Sequence, residues 1–128
     1  MYLHKYHPPM PNLFEIKELI EQNPVAFATL TGGNKPNVIG VADVKVVSEN
    51  ELIVTDNFMN QTIEDLSQNS SVCLLVWDQE KNGQKLIGKA QYFTEGKWKT
   101  FVEQMEENKG YPTKGAILIT VSKIISSR

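Results

Sequence analysis

Leu52-Ile53-Val54-Thr55-Asp56-Asn57-Phe58-Met59-Asn60-Gln61-Thr62-Ile63-Glu64-Asp65-Leu66-Ser67-Gln68-Asn69-Ser70-Ser71-Val72-Cys73-Leu74-Leu75-Val76-Trp77 is the stretch around which the chain is organised. Its opening run, Leu52 to Val54, is apolar and reads as a buried strand. A polar turn follows, then a short helix with Ile63 and Leu66 on one face. Asn69 and the two serines after it stop that helix, and a second apolar run begins at Val72. Asn57, Asn60, Gln61 and Thr62 therefore lie where a strand hands over to a helix. The first amides of a helix have no partner inside it, and the positive end of its dipole lies there. Small polar side chains beside those amides form a seat for a phosphate. The same residue types are ordinary helix caps, so the rest of the chain has to decide between the two readings.

The chain has 128 residues, the size of one domain. A hydrophobic fraction of 41% supports a single core. The net charge of −2 argues against nucleic acid, which favours a basic surface. With one cysteine, Cys73, no internal disulfide forms, and a reducing cytoplasm is the simple expectation. Cys73 sits within an apolar run and reads as a buried small hydrophobe rather than a nucleophile. No apolar run is long enough to span a membrane, and the first residues lack the hydrophobic centre of a signal peptide.

Upstream, residues 1–11 carry Pro8, Pro9 and Pro11 and are expected to form an extended arm, with residues 12–128 as one domain. Tyr2, Leu3 and Tyr6 suit the arm to packing on a partner subunit. His4 and His7 are a poor metal site without a third ligand, and no other histidine occurs. Leu13 to Gln22 reads as a helix capped by Asn12, with Glu15 completing a variant capping box. Leu13, Phe14, Ile16, Leu19 and Ile20 form its apolar stripe, and Asn23-Pro24 ends it. Val25 to Thr31 and Pro36 to Ala42 are strands joined by a turn at Gly32-Gly33-Asn34-Lys35. Asp43 to Val47 continues or kinks the second strand.

Downstream of Trp77, Asp78 to Gln84 is a polar loop with an Asn82-Gly83 turn. Lys85 to Phe93 is a strand in which Gly88 admits another group close to its backbone. Trp98, Phe101, Val102 and Met105 have the spacing of one helical face. Ala116 to Val121 is the last strand, and Ser122 to Arg128 trails off. The pattern of six short strands and three helices points to a mainly β fold, a closed barrel with helices at its openings.

Enzyme signatures are scarce. There is no GxGxxG, P-loop lysine motif, CxxC or HExxH. Without a histidine in the folded part, no Ser-His-Asp triad can be built there. Asp43, Asp56, Asp65 and Asp78 are isolated carboxylates of the solvated or capping kind. Any chemistry therefore belongs to a bound cofactor.

The order of Phe27-Ala28-Thr29-Leu30, a glycine-rich turn, Lys35-Pro36-Asn37-Val38, Leu52-Ile53-Val54-Thr55-Asp56, Asn60-Gln61-Thr62-Ile63-Glu64-Asp65-Leu66 and Asn69-Ser70-Ser71-Val72 resembles the pyridoxamine 5′-phosphate oxidase-like split-barrel flavoproteins. Leu86-Ile87-Gly88-Lys89-Ala90 also matches. The resemblance covers roughly Leu13 to Val121 and rests on the order of several weak motifs. It implies a six-stranded antiparallel split barrel, a homodimer and FMN at the subunit interface. The phosphate would lie at the start of the helix after the third strand, where a Lys-Thr pair is common and this chain has Gln61-Thr62, with Asn60 beside them. The ring would pack along Asn37, Val38, Val41, Ala42, Asp43 and Val44, and along Thr55, Asp56, Asn57 and Phe58. Trp77, with the partner's arm or last helix, would help cover it. Glutamine in place of lysine removes a full charge from the seat, a loss to be offset by Lys45, Lys85 or Lys89 or by the helix amides themselves, or else expressed as weak FMN binding or a different ligand. The resemblance thus implies an FMN flavoprotein, an oxidoreductase or electron carrier. The alternative reading is a non-catalytic barrel that holds heme, another flavin-like cofactor or nothing.

Overall fold

In a computed structural model of the chain, which describes residues 10–127, one seven-stranded antiparallel sheet curls into a split barrel. The strands are β1 (Val25–Leu30), β2 (Pro36–Val41), β3 (Lys45–Val46), β4 (Glu51–Asp56), β5 (Ser71–Trp77), β6 (Gly83–Phe93) and β7 (Gly115–Ser127), in the spatial order β2-β1-β5-β6-β7-β4-β3. The helices are α1 (Lys17–Gln22), α2 (Gln61–Gln68) and α3 (Lys97–Glu103). The expected arm falls mostly on residues outside those described.

Period-two patterning sets the register. Val25, Phe27 and Thr29 of β1 point inward, as do Val72, Leu74 and Val76 of β5. Pairing Phe27 with both Ile39 of β2 and Leu74 of β5 brings these inward faces together. Leu52, Val54, Leu86, Ile117 and Ile119 complete the main core. Burying one such side chain stabilises the fold by roughly 1.5–3 kcal/mol. A second, smaller core of Ile53, Val102, Met105, Ala116 and Leu118 lies under α3.

Four sequence expectations change. The expected six strands are seven, because the second one breaks at Asp43, which takes a left-handed conformation (φ 59°) that short polar residues tolerate. The polar tail Ser122 to Ser127 does not trail off. It extends β7 along β6 as far as the pairing of Ser127 with Gly83. A register shift beside Gly88 accommodates this extension, and a Cβ at Gly88 would collide with the Thr120 carbonyl. Phe14 is 52% exposed rather than part of the buried stripe. The helix opens as a 3-10 turn over Leu13–Ile16, which rotates Phe14 outward, although Asn12 does cap the amide of Phe14 (3.1 Å). Cys73 is half-buried, pointing away from the main core.

The split is what matters for function. β4 pairs with β7 over its whole length, but with β3 only through Ile53 and Leu52. The edge of Val54 to Asp56 is left open toward β2, whose own outer edge has no neighbouring strand among the described residues. α2 packs on β1, β2 and β6 at one end of this opening.

Candidate functional site

A groove of about 470 Å³ runs along the split. Ile39 to Asp43 form one wall, Thr55 and Asn57 to Thr62 the other, and Asn108 and Tyr111 close one side. Two depressions elsewhere, of about 570 and 590 Å³, are larger. The groove is distinguished by what converges on it rather than by size. Ile39, Val41, Ala42 and Met59 give it an apolar floor, and Phe58 and Tyr111 meet edge to face at 6.3 Å beside it. At its polar end the amides of Gln61, Thr62 and Ile63, the first turn of α2, have no hydrogen-bond partner among the described residues.

Most of the residues expected at the site are here. Val41, Ala42, Asp43, Thr55, Asn57, Phe58, Asn60, Gln61 and Thr62 all line the groove. Asn37 lies just behind it, its amide donating to the Thr62 hydroxyl (3.2 Å). Val38 is 64% exposed on the opposite side of β2. Val44 belongs to the main core. Asp56 is fully buried and turned away from the groove wall: it accepts from the Tyr92 hydroxyl (2.5 Å) and the Met59 amide (2.8 Å). Trp77, at the far end of β5, does not line the groove of its own chain.

Asn108 and Tyr111 are the residues that sequence reasoning missed, since they lie past the apolar stripe that ends at Met105 and carry no motif. Asn108 is fixed by its Nδ2, which donates to the Val102 carbonyl (3.1 Å) and the Thr113 hydroxyl (2.5 Å). Its Oδ1 accepts from Asn57 Nδ2 at 2.7 Å. That bond orients the Asn57 amide and leaves Asn57 Oδ1 buried without a partner. A buried acceptor of this kind is uncommon, and such groups are generally satisfied by water or a ligand.

Among the described residues, Asp43 is the one charged residue lining the groove. None of the lysines expected to compensate for Gln61 lines it. Lys45 pairs with Glu107 (2.7 Å). Lys89 donates to Ser71 (2.9 Å). Lys114 donates to the Met59 carbonyl and lies 3.9 Å from Asp56 Oδ1. Behind the polar end sits a second buried carboxyl group, Asp65, which accepts from Thr29 Oγ1 (2.7 Å) and Gln61 Nε2 (2.8 Å). Burial, and secondarily the Asp56 carboxylate, pushes the Tyr92 hydroxyl well above the ordinary phenol range.

The family model described as pyridoxamine 5′-phosphate oxidase matches residues 14–127, and the chain belongs to that family. An uncharacterized protein of Methanocaldococcus jannaschii is 26% identical over 114 residues, spanning 86% of this chain and 76% of its own length. Among solved structures, HupZ of Group A Streptococcus superposes with a TM-score of 0.81 at 22% identity, over 88% of this chain and 91% of its own. An FMN-binding protein of Syntrophomonas wolfei gives 0.76 at 16% identity, over 91% and 86%. HutZ, a heme storage protein of Vibrio cholerae, gives 0.65 at 18% identity, over 91% and 95%. At these identities the superpositions establish the split-barrel fold. No helix among the described residues is long and apolar enough to cross a membrane.

Proposed function

We propose that the protein is a flavoprotein that holds FMN in the split groove, between two copies of the barrel. The observation that carries the reading is the arrangement of the groove itself. An apolar floor of Val41, Ala42 and Met59 runs into a helix start whose first amides are free. The flavin ring would lie along Ile39 to Ala42 with Phe58 over its edge. The unpartnered Asn57 Oδ1 would face a ring N–H, and Thr62 and the α2 amides would face the phosphate. Bound flavin supplies hydride or electron transfer at its ring. The chain's own part is to bind and orient the ring and to exclude water from it.

Geometry supports the dimer. The barrel interior is filled by its own side chains, so the ring has to sit outside it and needs a second surface to cover it. Phe58 is 67% exposed at the groove mouth, with Tyr111 beside it, and a second subunit would bury both. Catalysis as an oxidoreductase and a cytoplasmic location are parts of the same proposal.

Heme is the second reading, favoured by the likeness to HutZ, a heme storage protein. Heme usually takes an axial protein ligand. The chain's two histidines, His4 and His7, lie outside the described residues, and none of the described residues lining the groove is a histidine. The visible spectrum of the purified protein separates these readings. Flavin bands, with FMN released on denaturation, support the proposal. A Soret band supports heme, and a colourless protein that quenches no added FMN fluorescence rejects both. Sedimentation should give a dimer at micromolar concentration.

A further inference from the structure

We infer that the groove holds flavin by its ring and gains little from the phosphate, so that it binds riboflavin and FMN with closely similar affinity. This rests on the flavin reading above and concerns which flavin the same groove takes.

The wiring behind the polar end carries the inference. Gln61 stands at the entrance to α2, but its Nε2 donates to Asp65 Oδ1 (2.8 Å) rather than standing free for a ligand. The other Asp65 oxygen accepts from Thr29 (2.7 Å). The Asn37 amide is shared between the Thr29 hydroxyl (3.3 Å) and the Thr62 hydroxyl (3.2 Å). The side-chain donors nearest the helix start therefore point back at a buried carboxyl group, not out toward an anion. Among the described residues a phosphate would find the α2 amides, the Thr62 O–H and the Asn60 side-chain amide, all uncharged, while Lys114 is held on the Met59 carbonyl and beside Asp56.

Charge runs the same way. No Lys or Arg nitrogen among the described residues comes within 4.0 Å of Asp65, and Asp43 adds a carboxylate to the groove wall. Bonds from these neutral donors to a phosphate are charge-assisted from the anion's side only and lack the ion-pair attraction that a lysine or arginine would add. The nearby negative charge subtracts from what the helix dipole offers. The ring end has no such conflict, because its walls are apolar and its polar contacts suit neutral N–H and C=O groups.

The test is a pair of fluorescence titrations of the full-length protein, one with FMN and one with riboflavin, at about 0.05 and 0.5 M salt. The expected result is a Kd ratio within about threefold and an FMN Kd that salt moves by no more than about threefold. FMN binding about tenfold or more tighter than riboflavin at low salt would overturn the inference and leave the flavin reading intact. Binding of neither flavin would overturn both. Gln61 is exposed, so Gln61→Lys should fold normally. In that variant FMN should gain about tenfold while riboflavin stays unchanged. An equal gain for both flavins, or none for either, would show that a cation at the entrance to α2 does not reach the phosphate and would sink the account.

Discussion

Two buried carboxyl groups bracket the segment that builds the groove, and they are treated differently. Asp56 ends β4 at the start of the segment. It accepts from a tyrosine hydroxyl and a backbone amide, its own carbonyl accepts from the Lys114 amide (2.8 Å), and the Lys114 ammonium lies nearby. Asp65 lies within α2 at the other end and is held by a threonine hydroxyl and a glutamine amide, with no cation beside it among the described residues. A buried charge is tolerated where it is paired and hydrogen-bonded. Asp56 meets that condition with groups from β6 and from the approach to β7, so it pins three parts of the chain together. Asp65 is held by neutral donors, one of which, Gln61, lines the groove and would otherwise be free to serve a ligand. One carboxyl group is spent on the fold, and the other shapes what the groove accepts.

The largest effect should come from breaking the first. Asp56→Ala strands the Tyr92 hydroxyl and the Met59 amide in a buried setting and frees Lys114 from its partner. The expected cost is about 3 kcal/mol, which for a chain of this size lowers Tm by about 10 °C. Asp65→Asn keeps an acceptor for Gln61 and offers a donor to Thr29, so it should cost less than about 1 kcal/mol. Thermal or urea unfolding of the two variants measures the difference directly. Equal costs would mean that Asp65 is as much a structural clamp as Asp56.

Much of this contrast was hidden in the sequence, for a physical reason. Hydrophobic periodicity reports which face of a local element is buried. It therefore revealed the β1, β2, β4, β5 and β6 strands, the start of α2, and with them most of the groove wall. It carries no information on polar pairs made across the fold. Thr29 and Asp65 are 36 residues apart, as are Asp56 and Tyr92. Asn57 and Asn108 are 51 apart, so the second side of the groove stayed invisible. The resemblance to a family located the helix start but not the direction in which Gln61 points. The polar end of β7 was lost because Ser122 and Lys123 break the apolar pattern where the strand shifts register. That pairing depends on β6, not on local propensity.

A pH titration sharpens the Asp56 side. The Tyr92 hydroxyl is held above its ordinary value of 10.0, first by burial and then by its bond to Asp56. A group whose folded value is raised contributes stability that is complete below its unfolded value and lost as pH rises through the folded one. The wild-type protein should hold its urea midpoint up to about pH 10 and lose stability above it. In Tyr92→Phe the part of that loss due to this hydroxyl should vanish, while stability near neutrality falls by about 1–2 kcal/mol from the lost bond. An identical alkaline slope in both proteins would mean that Tyr92 is not held as described.

The smallest effect belongs to the exposed ion pair of Lys45 with Glu107, which gives the comparison its surface reference. The hydrogen bond to Lys45 holds the Glu107 carboxyl below the ordinary range, and the same bond holds Lys45 above its own. The Glu107 contribution is present above the usual carboxylate value and lost as pH falls through the lower folded one. The Lys45 contribution is complete below the usual amine value and lost as pH rises through the higher folded one. Between those limits the pair's contribution is flat with pH. Glu107 is 39% exposed, so water and salt screen the pair. Glu107→Gln should therefore cost well under about 1 kcal/mol, and less at high salt. Glu107 adjoins Asn108, the residue that orients Asn57, so the variant also asks whether the groove depends on charge at its margin. Stability and flavin affinity should both hold. A loss approaching that of Asp56→Ala would show that burial is not what separates the structural carboxyl groups from the rest, and the contrast between Asp56 and Asp65 would lose its physical basis.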